Sequence, residues 1–181
     1  MKWIYFLLIS ILLTGCVAYR NSSSTIVSCS YNEKNNQTEY MVFPYGSVTI
    51  QGKWERTTYN SVSKQQFFEN SDSVTIAIAF SPYNKYEFNR DGAKKEFEFV
   101  KAFYEWESEY FATYNLDTEI IESDSTSNFI IWRIYGNYND ILIDSYFLIG
   151  EKNGFVKNYV VMATEKWTPK QKIDFLKNMY L

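Results

Sequence analysis

The chain has 181 residues, 46% of them hydrophobic, 22% charged and none histidine, with a formal net charge of −3. That composition suits one globular domain, and its slight acidity gives none of the basic footprint from which nucleic-acid recognition starts. Without imidazole there is no Ser-His or Cys-His nucleophile pair and no His-ligated zinc or copper, so any catalysis would rest on carboxylates, Lys or Tyr.

The chain opens with Met1-Lys2, an apolar stretch from Trp3 to Leu13, and then Leu13-Thr14-Gly15-Cys16. A permanent membrane-spanning helix needs roughly twenty apolar residues, and this run is about half that. A short positive start, an apolar run and small residues at a cut site are features of a secretory signal. The tetrapeptide resembles the lipobox of bacterial lipoproteins. The resemblance implies that residues 1–15 are removed, that Cys16 carries a diacylglycerol thioether, and that its new amino group is acylated. Several acyl chains hold a protein on a membrane far more firmly than one. In enteric bacteria an aspartate after the cysteine retains such proteins at the inner membrane. Val17 therefore points to the periplasmic face of the outer membrane in a Gram-negative cell; in a Gram-positive cell the anchor is the outward face of the cytoplasmic membrane. Residues 17–25 are polar and aperiodic, which with Cys16 makes 16–25 a lipidated tether, and 26–181 are expected to form a single α+β domain.

With Cys16 taken by lipid, Cys29 is a lone thiol, and its place in the short apolar run Ile26-Val27-Ser28-Cys29 predicts a buried strand position. Residues 32–38 read as a polar loop. Ser47 to Ile50 and Trp54 to Tyr59 read as strands around a turn at Gln51-Gly52-Lys53. Val74 to Phe80 alternates like a strand and should stop at Ser81-Pro82. Over 93–114 the period becomes helical. Phe99, Phe103, Trp106 and Tyr110 share one face, and Glu105, Glu107 and Glu109 are assigned to the solvated opposite face. Lys94 and Lys95 oppose the helix dipole at that end.

Thr118 to Glu122, Asn128 to Tyr135, Ile141 to Ile149 and Phe155 to Thr164 read as strands, the last three forming an antiparallel meander. Gly136 to Asp140 and Gly150 to Gly154 are its turns, and Asn153-Gly154 is a strong hairpin signal. Ile130, Trp132 and Ile134 alternate with Phe129, Ile131 and Tyr135, so the sheet should be covered on both faces. Thr168-Pro169-Lys170-Gln171 is a capping box with proline at the first helical position, opening a terminal helix with the stripe Ile173, Leu176 and Tyr180. Lys170 and Lys172 near its start are assigned to solubility or a partner.

Three local features, Gly52-Lys53-Trp54, Phe147-Leu148-Ile149-Gly150…Asn153-Gly154-Phe155-Val156, and Trp167-Thr168-Pro169-Lys170-Gln171…Phe175-Leu176, together with the element order, resemble the PsbP/DcrB-like fold over about residues 46–181. The resemblance implies an α/β/α sandwich: an antiparallel sheet covered by helices, with a C-terminal helix. Members of that superfamily include lipid-anchored envelope proteins, extrinsic subunits of membrane complexes, and adaptor or chaperone domains. Protein binding without catalysis is their common theme, and there are no shared catalytic residues to carry over. Segment 26–45 has no counterpart in it.

The expected function is thus a non-catalytic protein-binding module in the cell envelope, with an assembly, adaptor or immunity-type role. It is held to the membrane at Cys16, with a protein partner and with no cofactor, metal or catalytic residue. Small-ligand or carbohydrate binding and a carboxylate hydrolase are the alternatives. The aromatic share of 19% offers material for contacts, and Trp54, Tyr59 and Tyr45 are the candidate binding residues, in a region that also holds Tyr31 and Tyr40. For hydrolysis, the carboxylates would be Glu105, Glu107, Glu109, Asp140 and Asp144. A solvated helix explains the first three better, and a cross-strand ion pair with Arg133 explains Asp144 better. Asn21-Ser22-Ser23 and Asn36-Gln37-Thr38 match the N-glycosylation pattern, which has no role in a bacterial lipoprotein.

Overall fold

A computed structural model describes residues 25–181; the signal segment, Cys16 and most of the tether lie outside them. Ten strands follow in chain order: β1 (Ile26–Asn32), β2 (Gln37–Phe43), β3 (Gly46–Gln51), β4 (Glu55–Asn60), β5 (Gln65–Glu69), β6 (Thr75–Pro82), β7 (Asp117–Asp124), β8 (Phe129–Tyr138), β9 (Ile141–Lys152) and β10 (Phe155–Val161). Helix α1 (Glu96–Ala112) separates β6 from β7, and α2 (Pro169–Tyr180) closes the chain. Strands β1-β2-β3 form a small sheet and β4-β5-β6-β10-β9-β8-β7 a seven-stranded one, both antiparallel.

The large sheet is the middle layer of the α+β fold. Helix α1 covers one face over β7, β8 and β9, while α2 and the small sheet cover the other. The alternation in β8 sets this up. Ile130, Trp132 and Ile134 join Phe99, Val100 and Phe103 of α1 in one core, whereas Phe129 and Ile131 join Leu148, Leu176 and Tyr180 in the other. Successive strand residues point to opposite faces, so an apolar run in a strand needs cover on both. The meander of β8, β9 and β10 is present as expected, with β7 added at its edge. Strands β8 and β9 run further than expected, to Tyr138 and Lys152, whereas β10 stops at Val161, short of Thr164. Gly136 (φ 141°) stays within β8, and the tip is the pair Asn139-Asp140, both at positive φ. The Asn153-Gly154 turn forms as its sequence requires, with φ values of 57° and 84°.

Several expectations are corrected. Gln51-Gly52-Lys53 does not join neighbouring strands; it carries the chain from the small sheet to the large one. Thr38 fixes it, donating its hydroxyl to the Gly52 carbonyl (2.9 Å) and accepting the Trp54 amide (3.0 Å). Strand β6 does not stop at Phe80 but includes Ser81 and Pro82, which pair with Val156 and Phe155. Cys29 is half-buried rather than fully buried, and burial raises its thiol pKa, which disfavours the reactive thiolate. Lys94 and Lys95 precede α1, and Glu96 and Glu98 occupy its first turn, where negative charge complements the dipole. The α1 start is capped from afar, because the buried Glu151 carboxylate accepts from the Glu96 amide at 2.5 Å and the Gly154 amide at 2.5 Å.

The α2 capping box forms as its sequence predicts. Lys170 is exposed and pairs with Asp174. Lys172 is not a surface group: at 2% exposure it is buried against the sheet, 3.5 Å from Asp144 Oδ2 and over the Tyr146 ring.

Candidate binding surface

Helix α1 runs antiparallel to β9, so its last turn meets the β8–β9 tip. There Tyr110, Tyr114 and Tyr138 form an aromatic ledge. The Tyr110 and Tyr114 rings sit edge to face at 5.2 Å with phenol oxygens 3.2 Å apart, and Tyr114 meets Tyr138 at 5.3 Å. The hydrogen bond to Tyr114 raises the Tyr110 pKa, so the phenol stays neutral. All three rings are exposed, and Ile141 (61% exposed) pairs with Tyr138 across the turn; Leu142 (66%) follows it on the opposite face of the sheet. Tyr110 is in the last turn of α1 and Tyr114 in the turn that follows it; the hairpin supplies Tyr138. The rim is acidic. Glu109 is in the last turn of α1, Asp117 opens β7 and Asp140 is in the β8–β9 turn, and the chain carries no Lys or Arg between Lys101 and Arg133.

Glu107 is not on the solvated face assigned to it. The packed stripe of α1 contains Phe99, Val100 and Phe103, then the half-buried Tyr104, Glu107 and Phe111. Burial raises the Glu107 pKa from 4.5 to about 7. Its charge reaches Tyr86, whose hydroxyl lies 2.9 Å from Ser81 Oγ and whose pKa burial raises to about 12. Trp106 and Tyr110, expected on the packed stripe, stand on its rim. Trp106 is 37% exposed and leans on Tyr86 and Phe88 of the segment before α1.

Asp144 is structurally engaged. Arg133 Nε donates to Asp144 Oδ1 at 2.6 Å, the ion pair expected from sequence, and this bond, first among the causes, holds the guanidinium pKa above its usual value. Among the described residues no cluster of three or more His, Cys, Asp or Glu could hold a metal ion. A shallow cavity of about 330 Å³ lies at the start of α1, bordered by Tyr83, Lys95, Glu96 and Lys152, and Glu151 within it already binds two backbone amides.

The three candidate binding residues do not converge. Trp54 is a core residue, 4% exposed, packed against Trp167 and Phe175 with its indole N–H donated to the Gln51 carbonyl. Tyr45 is half-buried beside Phe155, and Tyr59 is exposed on β4. Cys16 lies outside the described residues. The ledge itself was not singled out from sequence. Its signal was the Tyr110/Tyr114 spacing in a stretch free of cations.

No family model matches the chain, and no curated protein does. Among solved structures it is similar to the solution structure of cyanobacterial PsbP (CyanoP) from Synechocystis sp. PCC 6803. Identity is 8% over 86% of this chain and 90% of that one, with a TM-score of 0.46. Among the described residues, no helix is long and apolar enough to cross a membrane.

Proposed function

We propose that this is a lipid-anchored envelope protein, held through Cys16, that acts as a non-catalytic protein-binding module. The observation that carries the binding role is the tyrosine ledge of Tyr110, Tyr114 and Tyr138 with Ile141. These are large side chains left in solvent at one site although the fold has two cores to bury them in. Tyr supplies amphipathic contact area at low entropic cost and is enriched among the residues that dominate binding energy. Of the carboxylates that a hydrolase would need, Asp144 is already paired with Arg133 and Lys172.

Affinity capture from solubilised membranes tests this, comparing wild type with Tyr114→Ala/Tyr138→Ala. A stoichiometric protein recovered with wild type and lost with the double variant is the expected result. The same recovery with both, or none with either, rejects the ledge as the binding surface. Metabolic labelling with a clickable fatty acid tests the anchor, and Cys16→Ser should abolish it.

A further inference from the structure

The large sheet has two ends, which differ. Strand β9, with 12 residues, spans about 40 Å. The tyrosine ledge and its acidic rim occupy the end where β9 begins. At the end where β9 stops lie the β9–β10 turn, the start of α1 and the end of β6. The β2–β3 turn is at this same end, since Tyr45 packs on Phe155, the residue that opens β10.

This second end carries its own exposed apolar groups. Phe43 is 56% exposed at the tip of β2, followed by the exposed Pro44 and half-buried Tyr45. Ile26, 58% exposed, is its direct cross-strand partner. The β4–β5 turn reaches toward the same end with Val62 in solvent and Tyr59 beside it. Lys64 and Lys152 flank these groups, both exposed and neither within ion-pair distance of a described carboxylate.

The chain arriving from Cys16 joins the fold at Ile26, within this patch. Ten residues of any conformation span at most roughly 35 Å, so an acylated Cys16 keeps the patch within that distance of the bilayer. We infer that the Ile26–Phe43–Tyr45 end lies on the lipid surface, so that the domain stands upright with its tyrosine ledge facing away. Aromatic and aliphatic side chains flanked by lysine suit the headgroup region. The carboxylates of the ledge would be repelled by an anionic leaflet, which favours the same orientation. The inference rests on the anchor proposed above and adds to it a fixed orientation.

The test uses the lipidated protein in vesicles of phosphatidylethanolamine and phosphatidylglycerol, in a Cys29→Ser background. An environment-sensitive fluorophore is placed on Phe43→Cys or, in a second preparation, on Tyr138→Cys; both sites are exposed. A group seated about 5–10 Å into the headgroup–acyl boundary meets a shallow nitroxide lipid quencher directly. Blue-shifted emission and strong quenching at residue 43, with neither at residue 138, is the expected result. Vesicle flotation and fatty-acid labelling are read on the same samples. Protein that floats and labels but leaves residue 43 no more quenched than residue 138 overturns the orientation and leaves the anchor standing. Protein that neither labels nor floats removes the anchor and the orientation with it.

Discussion

The Lys172 ammonium, 2% exposed, lies 3.5 Å from Asp144 Oδ2, while Arg133 holds the other oxygen of that carboxylate at 2.6 Å. One half-exposed aspartate thus serves two cations, one buried under α2 and one at the sheet surface. Removing a partner from a buried pair costs more than the pair contributes, because the remaining charge stays desolvated. Asp144→Asn should therefore destabilise the fold by on the order of 3 kcal/mol. Lys172→Met, which keeps the stem and removes the charge, should be neutral or stabilising. Denaturant midpoints of the two variants decide this; equal losses in both would mean that the ion pair is a net contributor to stability rather than a charge that Asp144 merely compensates.

The packed face of α1 makes a second contrast. Phe103 is fully buried among Phe99, Tyr86 and Trp106, whereas Trp106 is at the rim. Phe103→Ala should cost about 3–5 kcal/mol. Trp106→Ala, which leaves no closed cavity, should cost about 1–2 kcal/mol for its partial burial. Chemical denaturation measures both, and a larger loss for Trp106 would reverse the assignment of the helix face.

Much of this fold is written locally. The two-faced apolar run of β8, the Asn153-Gly154 turn and the Thr168–Gln171 capping box each depend on residues within a few positions of one another. What was illegible depends on distant contacts. Trp54 looks like an exposed strand aromatic until Thr38 and Phe175 enclose it. Glu107 looks solvated until the segment around Tyr86 and Phe88 packs beside α1. Lys172 follows a helix N-terminus, usually an exposed place, and its burial depends on Asp144, which is 28 residues earlier. The ledge needed Tyr138 to be carried to the end of α1 by a hairpin longer than its Gly-Asn-Tyr-Asn-Asp sequence suggests.

Glu107 makes stability depend on pH. Its carboxyl ionises near 4.5 when unfolded and at about 7 when folded, so the folded state binds the proton more tightly. Its contribution is most favourable below pH 4.5, falls as pH rises toward 7, and is constant above that. Glu107→Gln is neutral throughout and escapes this loss. The variant should gain on the order of 3 kcal/mol over wild type at pH 8 relative to pH 4. Urea titrations at the two values test it; a difference independent of pH would show that the Glu107 carboxyl is solvated in the fold.

Among the described glycines, the closest approach of a side chain is at Gly150. A Cβ there would overlap the Tyr180 ring. That ring cannot yield freely, because its hydroxyl donates to the Ser127 and Asn128 carbonyls at 2.8 and 3.1 Å and its face meets Phe129. Gly150→Ala should displace the last turn of α2 and cost about 1–3 kcal/mol, the usual range for overpacking. Tyr180→Ala alone should also destabilise, through lost burial. In the double variant the added methyl meets the space vacated by the ring, so the two losses should sum to more than the measured total, a coupling of about 0.5–3 kcal/mol. Strict additivity in a double-mutant cycle would mean that the C-terminal helix does not rest on Gly150.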